Sequence, residues 1–275
     1  MKIGKKEFDL SGRTSYLAAI LNITPDSFSD GGKYLEEGAL RCAERLIEEG
    51  ADILDVGAQS TRRGAVIVSA EEECERLIPV LKSIKEHFDI PVSVDTFKYE
   101  VAKAALEEGA DMLNDECALN TPGMAELLAG YEAPIVLMHS ETLPYGGKPE
   151  DEAAGVVERV RNGFAASIAV AEEAGIAKER LILDPGIGFH GGTKEDLTLL
   201  KHLKELSVQG LPLYLGASRK SVIGNTLKIP VEERELGTAV LSVLGAQAGC
   251  SFIRVHNVAA NRQALTLLKA VEEAD

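Results

Sequence analysis

Eight short apolar runs recur along the chain, and each is followed by a longer segment with the periodicity of an amphipathic helix. The runs are almost wholly apolar, as parallel strands buried on both faces should be. They cover residues 16–22, 53–56, 91–95, 112–114, 134–138, 181–184, 211–215 and 252–255. Eight strand–helix units are the number that closes a barrel, so the sequence predicts the α/β class and a (β/α)8 TIM barrel.

No feature of the sequence divides the chain into separate domains. Its 275 residues are a length at which such a barrel commonly forms one domain. No linker rich in Pro, Gly or Ser interrupts it, and the phrase Glu-Gly-Ala-Asp recurs at 49–52 and 108–111, as repeated βα units would allow. We therefore predict a single domain over residues 1–275.

Local signals mark several helix ends. The predicted N-terminal signals are Ser69 with Glu72, Thr121 with Pro122, and Thr193 with Asp196. The predicted C-terminal stops are Gly50, Gly109 and Gly175. The acidic residues around these ends are interpreted as solvated outer faces of the helices, without a catalytic part.

Charge and cysteine usage restrict the partners and the compartment. A net charge of −15 repels nucleic acid and anionic membranes, so neither is expected as a main partner. No apolar run approaches the roughly 18 residues of a membrane-spanning helix, and Glu7 and Asp9 stand where a signal peptide would be apolar. The four cysteines show no Cys-x-x-Cys spacing, so we expect reduced thiols in a cytoplasmic protein.

Polar residues follow the C-terminal end of each predicted strand, and in a barrel these ends share one face. The series is Asn22, Asp55 with Gln59, Asp95, Asn114 with Asp115, His139, Asp184, Ser218-Arg219-Lys220, and Arg254 with His256. Taken singly, Asp95 and Asp184 fit helix caps equally well, and His139 is interpreted as structural because residues 140–147 offer it no obvious partner. Their repetition around the ring instead favours one polar mouth with a bound ligand, because buried carboxylates and amides need hydrogen-bond partners.

The residue types at this mouth indicate the chemistry of the ligand. A nitrogen heterocycle with amino and ring N–H groups would satisfy Asp95, Asn114 and Asp184, while Lys220 faces a ring carbonyl oxygen or nitrogen. Phe189, in the glycine-rich loop after Asp184, offers an aromatic surface to a flat ligand.

The last two strands add basic groups to the mouth. Arg254 and His256 lie at the eighth strand, near the loops where barrels often bind phosphate, so an anionic, phosphorylated substrate is expected. Arg219 fits an ordinary surface salt bridge.

The motifs together resemble those of the dihydropteroate synthase family, and the match covers nearly the whole chain. They are Asn22-Ile-Thr-Pro-Asp-Ser-Phe-Ser-Asp-Gly-Gly32, Ser60-Thr-Arg62, Val94-Asp-Thr96, Asn114-Asp115, Asp184-Pro-Gly-Ile-Gly-Phe189, Ser218-Arg-Lys-Ser221 and Arg254-Val-His256. The resemblance implies an enzyme that joins 6-hydroxymethyl-7,8-dihydropterin diphosphate to p-aminobenzoate, uses Mg²⁺, releases diphosphate and forms a homodimer.

The resemblance also implies roles for individual residues. The pterin site is Asp95, Asn114, Asp184 and Lys220, and the diphosphate site is Asn22, Arg254 and His256, with Asn22 near the metal. The aminobenzoate carboxylate faces Ser221 and Lys220, and Phe28, Thr61, Arg62 and Phe189 shape its subsite. The implied catalytic residues are Asp95, Asp184, Lys220, Arg254 and His256, with Asp30 reaching inward when its loop closes.

Several positions depart from the family pattern, including Ala58, where a glycine is expected, and Glu116-Cys117, where small residues are expected. Gln59 stands where a glutamate is expected, Arg63 where a proline is expected, and Asn257 where an aspartate is expected. Gln59 and Arg63 belong to the loop expected to enclose the aminobenzoate. We hypothesise that binding of the pterin diphosphate is retained, while acceptor affinity or sensitivity to sulfonamide analogues is altered.

Two other functions are kept as alternatives. One is a pterin-binding barrel that transfers a methyl group from methyltetrahydrofolate to a corrinoid protein, which shares Asp95, Asn114 and Asp184 but needs no diphosphate pocket. The other is a catalytically weak paralogue that acts as a binding protein, which the departures at Gln59, Arg63 and Asn257 motivate.

Overall fold

The computed structural model of the chain describes residues 1–10, 15–23, 33–60, 65–147 and 154–274. Five residues singled out in the sequence lie outside these ranges, namely Phe28, Asp30, Thr61, Arg62 and Arg63. The described residues form a closed barrel of eight parallel strands, each followed by at least one helix, so the predicted TIM barrel is confirmed.

The strands begin with a short antiparallel ribbon, β1 (Lys2–Ile3) and β2 (Lys6–Glu7). The barrel strands are β3 (Tyr16–Asn22), β4 (Ile53–Gly57), β5 (Val92–Asp95), β6 (Met112–Asp115), β7 (Ile135–Met138), β8 (Leu181–Asp184), β9 (Leu213–Leu215) and β10 (Cys250–Val255). They follow one another around the barrel in chain order, and β10 closes it against β3. Each predicted strand is confirmed, with ends that differ by no more than two residues.

The helices form the outer layer of the fold. They are α1 (Lys33–Glu48), α2 (Ala70–His87), α3 (Tyr99–Glu107), α4 (Met124–Ala129), α5 (Val156–Glu173), α6 (Thr193–Lys201), α7 (Ser221–Leu227), α8 (Glu235–Gln247) and α9 (Val258–Glu272). Three 3-10 helices cover Lys178–Arg180, Leu203–Leu206 and Val231–Glu233. Among the described residues, no helix is both long enough and apolar enough to cross a membrane.

Side chains alternate between two separate cores along every barrel strand, because successive residues of a strand point to opposite faces. The outward set, such as Leu17, Leu54 and Leu113, packs against the helices. The inward set fills the barrel with Ala18, Ile53, Met112, Val136, Ile182, Tyr214 and Phe252, and Ile3 and Phe8 from the N-terminal segment join it. Residues two positions further along each strand therefore also face inward, at the C-terminal mouth.

The repeated Glu-Gly-Ala-Asp phrase forms the same hydrogen-bonded clasp twice at the opposite end of the barrel. Asp52 Oδ2 accepts a bond of 2.8 Å from Leu17 N, and Asp111 Oδ2 accepts one of 2.8 Å from Val92 N. Each carboxylate also binds a cation from a helix, Arg262 in the first clasp and Lys85 in the second. Each aspartate thereby ties the turn before its own strand to the start of the preceding barrel strand, β3 for Asp52 and β5 for Asp111.

The predicted helix ends are confirmed only in part. Ser69 caps α2 by accepting from Glu72 N at 3.1 Å. The Glu72 carboxylate binds Arg76 instead of accepting from Ser69 N, which a full capping box requires. Gly50, Gly109 and Gly175 end their helices with φ of +98°, +88° and +80°, which is the left-handed conformation that glycine adopts without a steric penalty.

Two predicted N-caps are wrong, because tertiary contacts compete for their side chains. The Thr121 hydroxyl donates to Phe97 O at 2.7 Å, and α4 starts later, after Gly123. Thr193 lies inside the first turn of α6, while Asp196 accepts from Gly188 N at 2.7 Å.

We predict that Asp111→Ala destabilises the chain by about 1–3 kcal/mol, because it leaves the Val92 N–H buried without its acceptor. Urea denaturation followed by circular dichroism measures this. The matched control is Asp89→Ala, because the Asp89 side chain is 83% exposed and pairs with Lys5 at the surface, and it should leave the midpoint unchanged. Equal effects of the two substitutions would contradict the clasp.

Candidate active site at the barrel mouth

On four barrel strands, the inward-facing residue that follows the apolar core, two positions toward the C-terminal end, is polar. Asp55 follows Ile53, Asn114 follows Met112, Asp184 follows Ile182 and Arg254 follows Phe252, each two residues along the same strand. Asn22 and Asp95 end β3 and β5 at the same face. The structure therefore brings these predicted site residues together at one mouth.

Arg254 is the centre of the first half of the mouth. Its Nε donates to Asp55 and its Nη2 donates to Asp95, which joins β10 to β4 and β5, the second and third strands from it around the barrel. Asn114 Nδ2 lies 3.0 Å from Asp95 Oδ1 and 3.3 Å from Asp55 Oδ2. Asp55 is fully buried, and no individual role for it was predicted from the sequence. The signal that points to it is its position on β4, two residues after the inward-facing Ile53.

Burial governs the electrostatics of this half. It raises the pKa of Asp95 to about 7, which the nearby Asp55 carboxylate reinforces and the Arg254 guanidinium opposes. Burial also raises the pKa of Asp184, against the effect of Lys220. Carboxylates buried in this way are stabilised by a ligand that donates hydrogen bonds to them.

The second half of the mouth is built around Asp184 and Lys220. Asp184 Oδ1 accepts from Gly186 N at 2.8 Å, and Lys220 Nζ lies 4.7 Å from the centre of the Phe189 ring. A Cβ atom on Gly216 would lie 3.3 Å from Asp184 Oδ2 and 3.8 Å from Lys220 Nζ, so both groups surround this glycine. Burial lowers the pKa of Lys220, while Asp184 counteracts it.

His256 is oriented by a serine from the preceding βα loop. Ser218 Oγ accepts from His256 N at 3.2 Å and lies 2.9 Å from His256 Nδ1. Ser218 Oγ thus contacts both the backbone and the ring of His256, and these two contacts fix the orientation of the ring. Arg219 pairs with Glu235, as the salt-bridge interpretation predicted.

Asn22 and Ser221 occupy the edges of the mouth. Asn22 ends β3 in register with Gly57 of β4, and its side chain is partly buried. Ser221 is the first residue of α7, directly after Lys220, and it is exposed. Their placement agrees with a site at this face, and their roles stay predictions.

Gln59 is held by two residues that lie just before α2 and α3 and that the sequence did not link to it. Its Oε1 accepts from Lys98 Nζ and from Val68 N, the latter at 3.2 Å. Lys98 Nζ also lies 2.5 Å from Glu73 Oε2, a carboxylate that is only 1% exposed. The neutral Gln59 therefore shares a lysine with a buried carboxylate on α2.

His139 has partners that the sequence did not predict. Its ring stacks on His190, with centroids 5.5 Å apart, and its Nε2 lies 3.8 Å from Glu141 Oε1. The expectation that residues 140–147 contribute no partner is therefore wrong. Burial lowers the pKa of His139 to about 4, so the ring is neutral near pH 7.

Comparison with known proteins agrees with this geometry. The family model for pterin binding enzymes matches residues 18–256. A dihydropteroate synthase from Clostridium beijerinckii is 45% identical over 267 residues, which are 96% of each chain.

Two solved dihydropteroate synthases share the fold. One, from Clostridium difficile in the presence of pteroic acid, has a TM-score of 0.89, 36% identity and full coverage of both chains. The other, from Xanthomonas albilineans with 4-aminobenzoic acid, has a TM-score of 0.89 and 42% identity over 98% of this chain and 96% of that one.

Proposed function

The chain belongs to the family of pterin binding enzymes, and we propose that it is a dihydropteroate synthase. In this reaction the amine nitrogen of p-aminobenzoate bonds to the methylene carbon of 6-hydroxymethyl-7,8-dihydropterin diphosphate. The bond from that carbon to the diphosphate oxygen breaks, and the amine loses a proton. The similar enzymes with pteroic acid and with 4-aminobenzoic acid support these substrates.

The observation that carries the proposal is the ring of buried acceptors at the mouth. Asp95, Asn114 and Asp184 come from three different strands, and each faces the same cavity with groups that bind amino and ring N–H donors. Lys220 lies above the Phe189 ring and binds a ring acceptor from the side. A pterin satisfies this set, which an apolar ligand would leave unpaired.

The same groups match the charges that develop during the reaction. Positive charge grows on the pterin as the carbon–oxygen bond breaks, and the Asp95 and Asp184 carboxylates stabilise it. Negative charge grows on the departing diphosphate, towards which Arg254 and His256 contribute donors. The cavity needs no covalent nucleophile for this path.

Asn22 fits the proposed role beside Mg²⁺ through its donor chemistry. Its amide oxygen is a hard ligand at the rim of the mouth, and Mg²⁺ usually takes one or two protein oxygens and completes its shell with phosphate oxygens and water. When bound, Mg²⁺ neutralises charge on the leaving diphosphate.

The two alternative functions differ in what they leave unexplained. The methyltransferase has no use for Arg254 and His256 as a diphosphate site, and the similar proteins are named dihydropteroate synthases, which favours the synthase. A steady-state assay that detects diphosphate release from pterin diphosphate in the presence of Mg²⁺ and p-aminobenzoate would exclude the catalytically weak paralogue.

The four free cysteine thiols support a reducing, cytoplasmic compartment.

A homodimer is part of the proposal, and an apolar surface supports it. Leu236, Val240 and Leu244 lie four residues apart on α8 and are 78%, 53% and 48% exposed. On the adjacent α9, Leu267 and Val271 are 67% and 66% exposed. Exposed apolar side chains on two helices that contact each other favour burial against a second copy.

We expect Asp184→Asn to weaken pterin binding by about 10- to 100-fold, because an ionised acceptor for pterin N–H groups is replaced by an amide. Isothermal titration calorimetry with pterin diphosphate measures the affinity. Asp115→Asn is the matched control, since Asp115 is equally buried at a strand end but accepts from Cys117 N and Leu119 N of its own loop. It should lower stability and leave the affinity nearly unchanged; equal losses of affinity would contradict the assignment.

The acceptor subsite generates a separate prediction. We expect pterin diphosphate to bind normally while the KM for p-aminobenzoate, or the inhibition constant of a sulfonamide, is raised relative to a Gln59→Glu, Arg63→Pro double variant of this chain, which has the residues expected from the family pattern. The reason is the exchange of a glutamate for Gln59 and of a proline for Arg63 in the enclosing loop. Product formation with and without a sulfonamide is the measurement, and ordinary turnover with ordinary inhibition would refute the hypothesis.

For the dimer, Val240→Glu should shift the chain from dimer to monomer, because it places a charge in the centre of the apolar surface. Sedimentation velocity measures the change. Val170→Glu, at an exposed valine on α5, should leave the dimer intact. A monomeric wild-type chain, or a dimeric Val240→Glu variant, would overturn this part of the proposal.

A further inference from the structure

Two histidine rings and a carboxylate meet beside the mouth, between the loops that follow β7 and β8. His190 Nδ1 lies 3.6 Å from Glu141 Oε1, and His139 Nε2 lies 3.8 Å from the same oxygen. The three donor atoms all lie within 4.8 Å of one another. We propose that His139, Glu141 and His190 form a binding site for a borderline divalent cation of the Zn²⁺ type, distinct from the Mg²⁺ of the proposed reaction.

The nitrogens that face the carboxylate have no hydrogen-bond partner within the described ranges. His139 Nε2 and His190 Nδ1 are both buried and unsatisfied there, and the side chains of these residues are only 8% and 0% exposed. A buried imidazole nitrogen without a partner is costly. A cation that accepts both lone pairs removes that cost in one step.

Hydrogen bonding already sets one ring in the state that binds a metal. His190 Nε2 lies 2.7 Å from the Pro185 carbonyl oxygen, which can only accept, so Nε2 carries the proton. In neutral His190 the lone pair is therefore on Nδ1, the atom that faces Glu141. A ligating histidine that donates its other N–H to a backbone carbonyl is the usual arrangement around protein-bound zinc.

Glu141 is held in place by Arg159. The positive charge of Arg159 is balanced by Glu141 and by a second carboxylate, Glu195. Arg159 Nε donates to Glu141 Oε1 at 2.8 Å and its Nη2 binds Glu195 Oε1 at 2.9 Å. One arginine thus faces two carboxylates, which leaves the cluster with a negative charge for a divalent ion. A carboxylate oxygen has two lone pairs, so Oε1 can accept from Arg159 and bind a metal together.

The fold makes room for the His139 ring through two glycines. A Cβ atom on Gly163, inside α5, would lie 2.2 Å from His139 Nδ1, and one on Gly186 would lie 1.9 Å from the His139 carbonyl oxygen. Gly163 is unfavourable for a helix interior by propensity, so the close approach of the ring accounts for it. The position of His139 is therefore built into two neighbouring segments.

The donor set selects the type of ion. Two imidazole nitrogens and one carboxylate oxygen are typical zinc ligands, whereas Mg²⁺ prefers oxygen ligands only. In a tetrahedral zinc site, neighbouring ligand atoms lie about 3.3 Å apart. The distances of 3.6 and 3.8 Å from Glu141 Oε1 to the two nitrogens are close to that value. The three atoms lie within 4.8 Å of one another, so the set contracts when the ion binds. Glu141 keeps 13% of its side chain exposed, which gives the ion access from solvent.

The site would tie the two loops together behind the pterin-binding carboxylate. His139 N donates to Asp184 O at 2.9 Å, and Glu141 N donates to Phe189 O at 3.0 Å. The cation therefore acts as a structural clamp on the loop that carries Asp184 and Phe189. Binding to the folded state alone should also raise the unfolding temperature.

Metal content of the full-length chain tests the proposal. Protein stripped with a chelator is dialysed against Zn²⁺ and analysed by elemental mass spectrometry, and its affinity is measured by competition with a chromophoric chelator. We expect about one Zn²⁺ per chain, unaffected by excess Mg²⁺, and a raised unfolding temperature with Zn²⁺ but not with Mg²⁺. Co²⁺ in place of Zn²⁺ should give the intense visible absorption of tetrahedral coordination.

Variants locate the ion within the chain. His190→Gln and Glu141→Gln should each weaken binding at least about tenfold and remove the Co²⁺ absorption. The matched control is His202→Gln, at a partly exposed histidine that pairs with Glu205, and it should bind Zn²⁺ like the wild type. Binding by both site variants as in the wild type would place the ion elsewhere, and overturn the proposal.

The wild-type measurements stand even if a site variant does not fold. Absence of bound Zn²⁺ and of the tetrahedral Co²⁺ spectrum in the folded wild-type chain would also overturn the proposal. Neither result bears on pterin binding, so the site is tested independently of the proposed enzyme activity.

Discussion

The alternation of side chains along eight parallel strands is the constraint on which both the stability and the site of this protein depend. One set of residues packs outward against the helices, and the other fills the barrel. The inward set changes from apolar to polar within a single step of two residues, as from Ile182 to Asp184. The apolar floor and the polar mouth are thus successive layers of the same strands.

Charged groups in the upper layer are stable only as a connected set. Arg254 compensates Asp55 and Asp95, and Lys220 lies beside Asp184, so each of these five buried charged groups has an opposite charge next to it. Burial nevertheless raises the pKa of Asp95 to about 7. A site of this kind reduces the stability of the free protein and recovers it when a ligand with suitable donors binds.

The layer behind the mouth positions the groups that face it. Ser218 orients the His256 ring. Lys98, which is paired with Glu73, binds Gln59 at the start of the loop that follows β4. The loop that carries Asp184 is bound to the preceding loop through backbone bonds and through the cluster of His139, Glu141 and His190. Gln59, which departs from the family pattern, therefore belongs to this supporting layer.

Local periodicity in the sequence was sufficient to identify the eight strands, the barrel and the polar residues that end each strand, because these features depend on neighbours two to four positions away. Only the tertiary structure revealed that Arg254 bridges Asp55 and Asp95, and that His139 meets His190. It also showed that Thr121 bonds to Phe97 O instead of capping a helix. Such pairs come together when the barrel closes, and contacts between distant segments leave no periodic signal in the chain.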